Sequence, residues 1–168
     1  DDGGTNILFV GRFVPNKRPD DLVRFFHAYQ TLYNPRARLI LAGSYVGFEG
    51  YLAQVQSLAA RLGARNVQIL GQVSNEELAA LYDVADLFLC ASEHEGFCVP
   101  IVEAFYTQVP VLAYAATAVP STMDGAGVLF DTDRWVTLAE PMNTEIHLIG
   151  AAREDAGRGS RRLTVSPG

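Results

Sequence analysis

The chain has 168 residues, of which 49% are hydrophobic and 19% charged, and its net charge is −6. This is the composition of one globular domain with its own core, which excludes a disordered tail or a fibrous repeat and argues against a nucleic-acid surface. No apolar run reaches the roughly 18 residues that span a bilayer.

Strand and helix signals alternate from the start. Ile7 to Val10 is a short continuous apolar run closed by Gly11, which predicts a strand buried on both faces. Pro19-Asp20-Asp21 opens a helix whose stripe is Leu22, Phe26, Tyr29 and Tyr33, and Pro35 stops it. Leu39 to Ala42, before Gly43, predicts a second buried strand. The stripe Leu52, Val55, Leu58, Ala59 and Leu62 predicts a helix ended by Gly63.

Val67 to Leu70 predicts a third strand, closed by Gly71. Ser74 with Glu77 three residues on is a capping box leading into Leu78, Leu81 and Tyr82. Leu87 to Cys90 predicts a fourth strand, Pro100 to Gln108 a helix, Val109 to Tyr114 a fifth strand, and Val128 to Phe130 a sixth. The small residues of Tyr114 to Gly127 read as loop, and the pattern weakens beyond Asp131. Such alternation makes an α/β fold: a doubly wound, Rossmann-like parallel sheet in a single domain. Its ligands belong at the carboxyl ends of the strands.

Residues 1–152 carry 9 basic and 17 acidic side chains, whereas 153–168 carry 4 and 2. We therefore expect a domain over 1–152 and a solvated, poorly ordered basic tail over 153–168. The start at Asp1, with strand residues by Asn6, suggests a piece of a longer chain. Two cysteines, Cys90 and Cys98, form neither a disulfide scaffold nor a CxxC or Cys/His zinc spacing, so no metal site is expected and a reducing, cytoplasmic setting fits.

Two loops carry the chemistry. After the first strand come Gly11, Arg12 and Lys17, the only lysine in the chain. An arginine fork and a lysine point charge facing a helix start suit a diphosphate, although solvated loop cations have the same spacing. Neither a P-loop nor a GxGxxG fingerprint is present, which argues against an NTPase and an NAD enzyme. After the fourth strand, Glu95 and Glu103 stand eight residues apart, spaced to accept from hydroxyls at two points of one ligand. Between them Gly96 permits an unusual turn, Pro100 suits a first helical position, and the amides of Phe97, Cys98 and Val99 would face an anion. His94 reads as a solvent-facing spacer, and His27 and His147 as helix-edge residues.

The segment Glu95-Gly96-Phe97-Cys98-Val99-Pro100-Ile101-Val102-Glu103-Ala104 resembles the E-G-F-G-L-P-x-x-E-A signature of retaining family 4 glycosyltransferases. Phe9-Val10-Gly11-Arg12 with Lys17, Leu41-Ala42-Gly43-Ser44, Ile69 to Val73 and Asp124 to Phe130 agree in order. The resemblance spans about residues 6 to 131. It implies the C-terminal, donor-binding half of a GT-B fold, in an enzyme that moves a hexose from a nucleoside-diphosphate sugar with retention and without a metal or other cofactor. By the same resemblance Arg12 and Lys17 hold the diphosphate, Val73 frames the base and Glu95 addresses the donor sugar. Phe97, Cys98 and Val99 contact sugar and phosphate, and Glu103 binds the ribose hydroxyls.

The implied partners are the nucleotide-sugar and an N-terminal acceptor domain of the same polypeptide; any contact with a membrane's inner face would come through the full-length enzyme. The isolated chain should bind donor without turning it over. Cys98 stands where that family usually has glycine, and Ala118-Val119-Pro120-Ser121 keeps only the proline of its Gly-Gly-x-Pro-Glu loop. Those departures leave a catalytically silent nucleotide-sugar-binding module, or an interaction module, as the alternative. An epimerase of the same fold fits the Glu-x7-Glu segment less well.

Overall fold

In the computed structural model, which describes residues 3–131 and 135–162, six strands form one parallel sheet. They are β1 (Asn6–Val10), β2 (Arg38–Ala42), β3 (Val67–Gly71), β4 (Leu87–Cys90), β5 (Val111–Tyr114) and β6 (Val128–Phe130). Their spatial order is β3-β2-β1-β4-β5-β6. The helices are α1 (Pro19–Leu32), α2 (Glu49–Leu62), α3 (Asn75–Val84), α4 (Val99–Tyr106), α5 (Val119–Met123) and α6 (Trp135–Arg162).

Because strand side chains alternate between faces, the apolar strands feed two cores. Ile7, Phe9, Leu39, Leu41, Leu87, Leu89 and Leu112 face one side. There they meet Leu22, Phe25, Phe26 and Tyr29 of α1, Val55 and Ala59 of α2, and Leu138, Ala139 and Met142 of α6. Leu8, Ile40, Phe88, Cys90, Val111 and Ala113 face the other, against Tyr82 of α3, Ile101 and Ala104 of α4, and Val119 and Met123 of α5. The sheet is covered on both faces, as a parallel sheet requires.

Local signals act as the sequence predicts at most boundaries. Asp20 and Asp21 occupy the first turn of α1, and Gly63 ends α2 at φ 71°. The reciprocal capping box of Ser74 and Glu77 opens α3. Four boundaries differ. Tyr33 does not continue the buried stripe of α1; it caps the helix and is exposed. Helix α4 starts at Val99 and stops at Tyr106, because Gln108 is left-handed, at φ 58°. Strand β5 starts after Pro110, whose nitrogen has no hydrogen to give a ladder. The supposed loop from Tyr114 to Gly127 contains α5, with Pro120 in its first turn. Residues 153–162 continue α6, and the rest of the expected tail lies outside the described residues.

The carboxyl edge is laced by main-chain bonds. The Gly11 amide donates to the Ala42 carbonyl at 2.9 Å, that of Phe13 to Ser44 at 2.9 Å, and that of Gly43 to Gly71 at 2.8 Å. Gly43 has φ 151°, and a Cβ there would lie 1.8 Å from the Gly11 carbonyl oxygen. Gly63 is also left-handed, but a Cβ there meets nothing within 4 Å. Gly43→Ala is therefore expected to cost more than about 4 kcal/mol and Gly63→Ala only about 1 kcal/mol. Urea unfolding midpoints of the two variants check this ordering.

Candidate functional site

Strand order reverses between β1 and β4: the chain leaves β1 for α1 on one face and β4 for α4 on the other. The crevice between the two loops is where open α/β sheets take ligands. It contains both sequence-predicted segments. Gly11 lies at the mouth of β1, where a Cβ would come within 2.8 Å of the Phe9 ring. Arg12 is exposed at the rim. A single 3-10 turn, Pro15–Lys17, then carries Lys17 inward.

Lys17 Nζ is ion-paired with Glu95 across the crevice, and the two side chains are only 20% and 10% exposed. The main chain reinforces this bridge, since the Glu93 amide donates to the Asn16 carbonyl at 2.9 Å. Glu95 is held from a third loop as well. Its amide donates to Thr117 Oγ1 at 2.9 Å, and the Thr117 hydroxyl donates to its carbonyl at 3.0 Å. Thus the loops after β1, β4 and β5 meet at one carboxylate.

Cys98 is the N-cap of α4 and is 3% exposed, while Phe97 and Val99 on either side are 63% and 52% exposed. The expected row of outward amides is incomplete, because the Val99 amide donates to the Phe97 carbonyl at 3.0 Å. Gly96 also departs from expectation. It is not in the left-handed region, and a Cβ there would meet no atom within 4 Å. Val73 is half-buried in the turn between β3 and α3. His94 and His147 are exposed, whereas His27 is half-buried with its Nδ1 enclosed.

Glu103 lies one turn into α4 and accepts from the Tyr82 hydroxyl at 2.9 Å; that hydroxyl also lies 3.1 Å from the Pro100 carbonyl. Burial, the bond to Glu103 and its charge push the Tyr82 phenol well above its usual range. A groove of about 490 Å³ between α3 and α4 opens beside this pair, lined by Leu78, Ala79, Val102 and Tyr106 among others.

Three contributors escape the sequence. Tyr82 reads there only as one member of an apolar stripe, and Thr117 sits among small loop residues with no pattern. Arg18 is buried at a left-handed φ of 54°, with its Nε 2.5 Å from Asp21 and 3.6 Å from Glu93. Its guanidinium also covers the Tyr114 ring at 5.2 Å. The fold further brings Cys90, at the end of β4, to Cys98. The two sulfurs lie within 4.8 Å of each other, and their interaction lowers Cys90, whereas the same interaction with burial pushes Cys98 up.

The sequence matches the family described as Glycosyl transferases group 1 over residues 1–161. The chain belongs to that family. The O-antigen chain mannosyltransferase B of Escherichia coli is 34% identical over 125 residues, 74% of this chain and 32% of the relative. A GDP-mannose:cellobiosyl-diphosphopolyprenol alpha-mannosyltransferase of Xanthomonas campestris is 32% identical over 134 residues, 78% and 34% of the two chains. The chain thus spans about a third of the length of these relatives.

Among solved structures, the C-terminal domain of a glycosyl transferase group 1 family protein (LpcC) from Francisella tularensis superposes with a TM-score of 0.72 at 21% identity. The match covers 85% of this chain and 75% of that one. Anabaena Alr3699/HepE in complex with UDP-glucose superposes at 0.73 and 25% identity, covering 84% and 39%. The fold of this glycosyl transferase group 1 chain is therefore that of a C-terminal GT-B domain. No helix among its described residues is long and apolar enough to cross a membrane.

The Tyr82–Glu103 bond gives this glycosyl transferase domain a pH signature. A phenol raised in the fold favours the native state below the unfolded tyrosine pKa of about 10 and loses that contribution as pH climbs beyond it. Tyr82→Phe is expected to cost about 1.5 kcal/mol at neutral pH. It should also flatten part of the fall in stability above pH ~10, while Tyr51, whose phenol is likewise raised by burial and by its bond to Asp20, accounts for a separate part. Denaturant midpoints across that range check both outcomes.

Proposed function

We propose that this domain binds a nucleoside-diphosphate sugar and is the donor half of a retaining, metal-independent glycosyltransferase. The observation that carries the reading is the Lys17–Glu95 bridge at the strand-order reversal, closed by Thr117. A cation for phosphate and a carboxylate for sugar hydroxyls then stand on opposite walls of one crevice.

Each residue has a role that its chemistry supports. Arg12 from the rim and Lys17 from the wall hold the diphosphate, and in the reaction they stabilise the negative charge growing on it as it leaves. Glu95 accepts from hydroxyls of the hexose. Gly96 and the backbone of Phe97 and Cys98 allow close approach, since Gly96 borders open space, while Gly11 keeps the mouth of β1 free of a clash with the Phe9 ring. Tyr82 occupies Oε2 of Glu103, which leaves Oε1 to accept from the ribose. Val73 frames the base.

In the two-domain enzyme, an acceptor domain closes over this edge, and transfer occurs between the halves. The HepE structure contains UDP-glucose and the Xanthomonas relative is named for GDP-mannose, so both donors are the ones to test. The enzyme works in the cytoplasm, where nucleotide sugars are available.

The test is a thermal-shift titration of the chain with UDP, GDP and ADP and with the two nucleotide sugars. At about 100 times the dissociation constant, bound ligand contributes about 2.7 kcal/mol, or roughly 5–11 °C for a domain of this size. Arg12→Ala should weaken binding by about 1.5–3 kcal/mol, a factor of roughly 10 to 150. Glu103→Ala should reduce the preference for nucleosides that carry both ribose hydroxyls. A shift with no base preference, unchanged in Arg12→Ala, would sink the reading.

A further inference from the structure

The mouth of β4 holds a group of side chains that sugar transfer does not need as a set. Cys90 Sγ, Cys98 Sγ and a carboxylate oxygen of Glu95 lie within 4.8 Å of one another. Both thiols are buried, and Glu95 alone reaches the crevice. The three residues span five and eight positions of sequence, a spacing that announces no metal motif. Only the turn from β4 into α4 brings them together.

We infer that Cys90, Glu95 and Cys98 form a binding site for a thiophilic divalent cation, zinc foremost. Two sulfurs and one oxygen are a borderline-soft donor set that suits zinc and disfavours magnesium or calcium, which take oxygen ligands. Zinc–sulfur bonds of about 2.3 Å and a zinc–oxygen bond of about 2.0 Å in a tetrahedron put the sulfurs about 3.8 Å apart and sulfur and oxygen about 3.5 Å apart, so no pair needs to close by more than about 1.3 Å. The main chain at Glu95 is already fixed by Thr117, and its long side chain supplies the adjustment.

Charge closes as well. Two thiolates and a carboxylate around a divalent ion sum to −1, and Lys17, already paired with Glu95, neutralises the remainder. Lys17 holds the carboxylate as outer partners of metal ligands do, and the Ser92 hydroxyl does so for the Cys90 sulfur at 3.5 Å. Three protein ligands leave a fourth position open toward the crevice. The ion enters from that side, because both sulfurs are closed off by the core beneath α4. The site shares Glu95 and Lys17 with the proposed donor pocket, so an ion and a donor sugar compete for one carboxylate, but the ion site does not rest on the donor reading.

Cobalt(II) reports such a site directly, since thiolate ligation gives sulfur-to-metal charge transfer and tetrahedral geometry gives intense visible bands. The chain, kept reduced with a phosphine, is titrated with cobalt(II) and then with zinc(II). We expect both bands at one equivalent, their displacement by zinc, and release of protons on binding. Cys98→Ser and Cys90→Ser should each abolish the two-thiolate spectrum. Glu95→Gln keeps both sulfurs and, where circular dichroism shows it folded, should weaken cobalt at least tenfold. Far-ultraviolet circular dichroism confirms that the serine variants fold. Absence of charge transfer in the unaltered chain, or an identical spectrum in folded Cys98→Ser, overturns the site. So does cobalt affinity unchanged in Glu95→Gln. Binding through His27, His94 or His147 gives no sulfur band and counts against it equally.

Discussion

The carboxyl edge of the sheet depends on a close approach between two backbones. Gly43 lies so near the Gly11 carbonyl that a side chain has no room, and this contact sets the loop after β1 against the loop after β2. From that fixed start the 3-10 turn places Lys17, the Asn16 carbonyl takes the Glu93 amide, and Glu95 reaches Thr117. Four loops are therefore positioned in series. A displacement at Gly43 would pass to Glu95 although the two glycines lie on the far side of the crevice from it.

The site's electrostatics follow from the same placement. The chain is acidic overall, yet Arg12, Lys17 and Arg18 fall within seven residues of one loop. Two of them are already matched: Lys17 by Glu95, and Arg18 by Asp21 and Glu93. Arg12 stays at the rim, where solvent screens it most and where it can meet an incoming anion first. Arg18 does structural duty instead. It adopts a left-handed backbone, starts α1 and braces Tyr114 of β5, so the most buried cation of the loop belongs to the frame.

The sequence makes the frame legible because two-sided burial demands continuous apolar runs, which alternate with capped amphipathic stretches. Leu87 to Cys90 or Ser74 to Glu77 can mean little else. Helix α5 is not legible because five residues carry no period, and Pro120, Ser121 and Thr122 look equally well like loop. The two glutamates and two cations could be named because their residue types already limit their chemistry. Their pairing could not be, since nothing along the chain says that Lys17 and Glu95, 78 positions apart, face each other. The turn of the Val99 amide toward Phe97 is illegible for a related reason: a backbone donor's direction is set by a local turn, not by residue type.

Cys98 joins the frame to the chemistry. Where the resemblance leads one to expect glycine, a thiol is buried beside Ile101 and Ala104 and lies within 4.8 Å of the Cys90 sulfur. A glycine would leave a space beside Cys90 and the helix start with less packing, so the thiol is coherent with the core of this chain. The same thiol lies within reach of Glu95, a residue already claimed by Lys17 and Thr117. A buried sulfur pair below a tethered carboxylate changes what the crevice can bind without moving its backbone. That is how a conserved architecture and an altered side chain coexist: the turn from β4 to α4 fixes the positions, and the identity at 98 decides which chemistry those positions support.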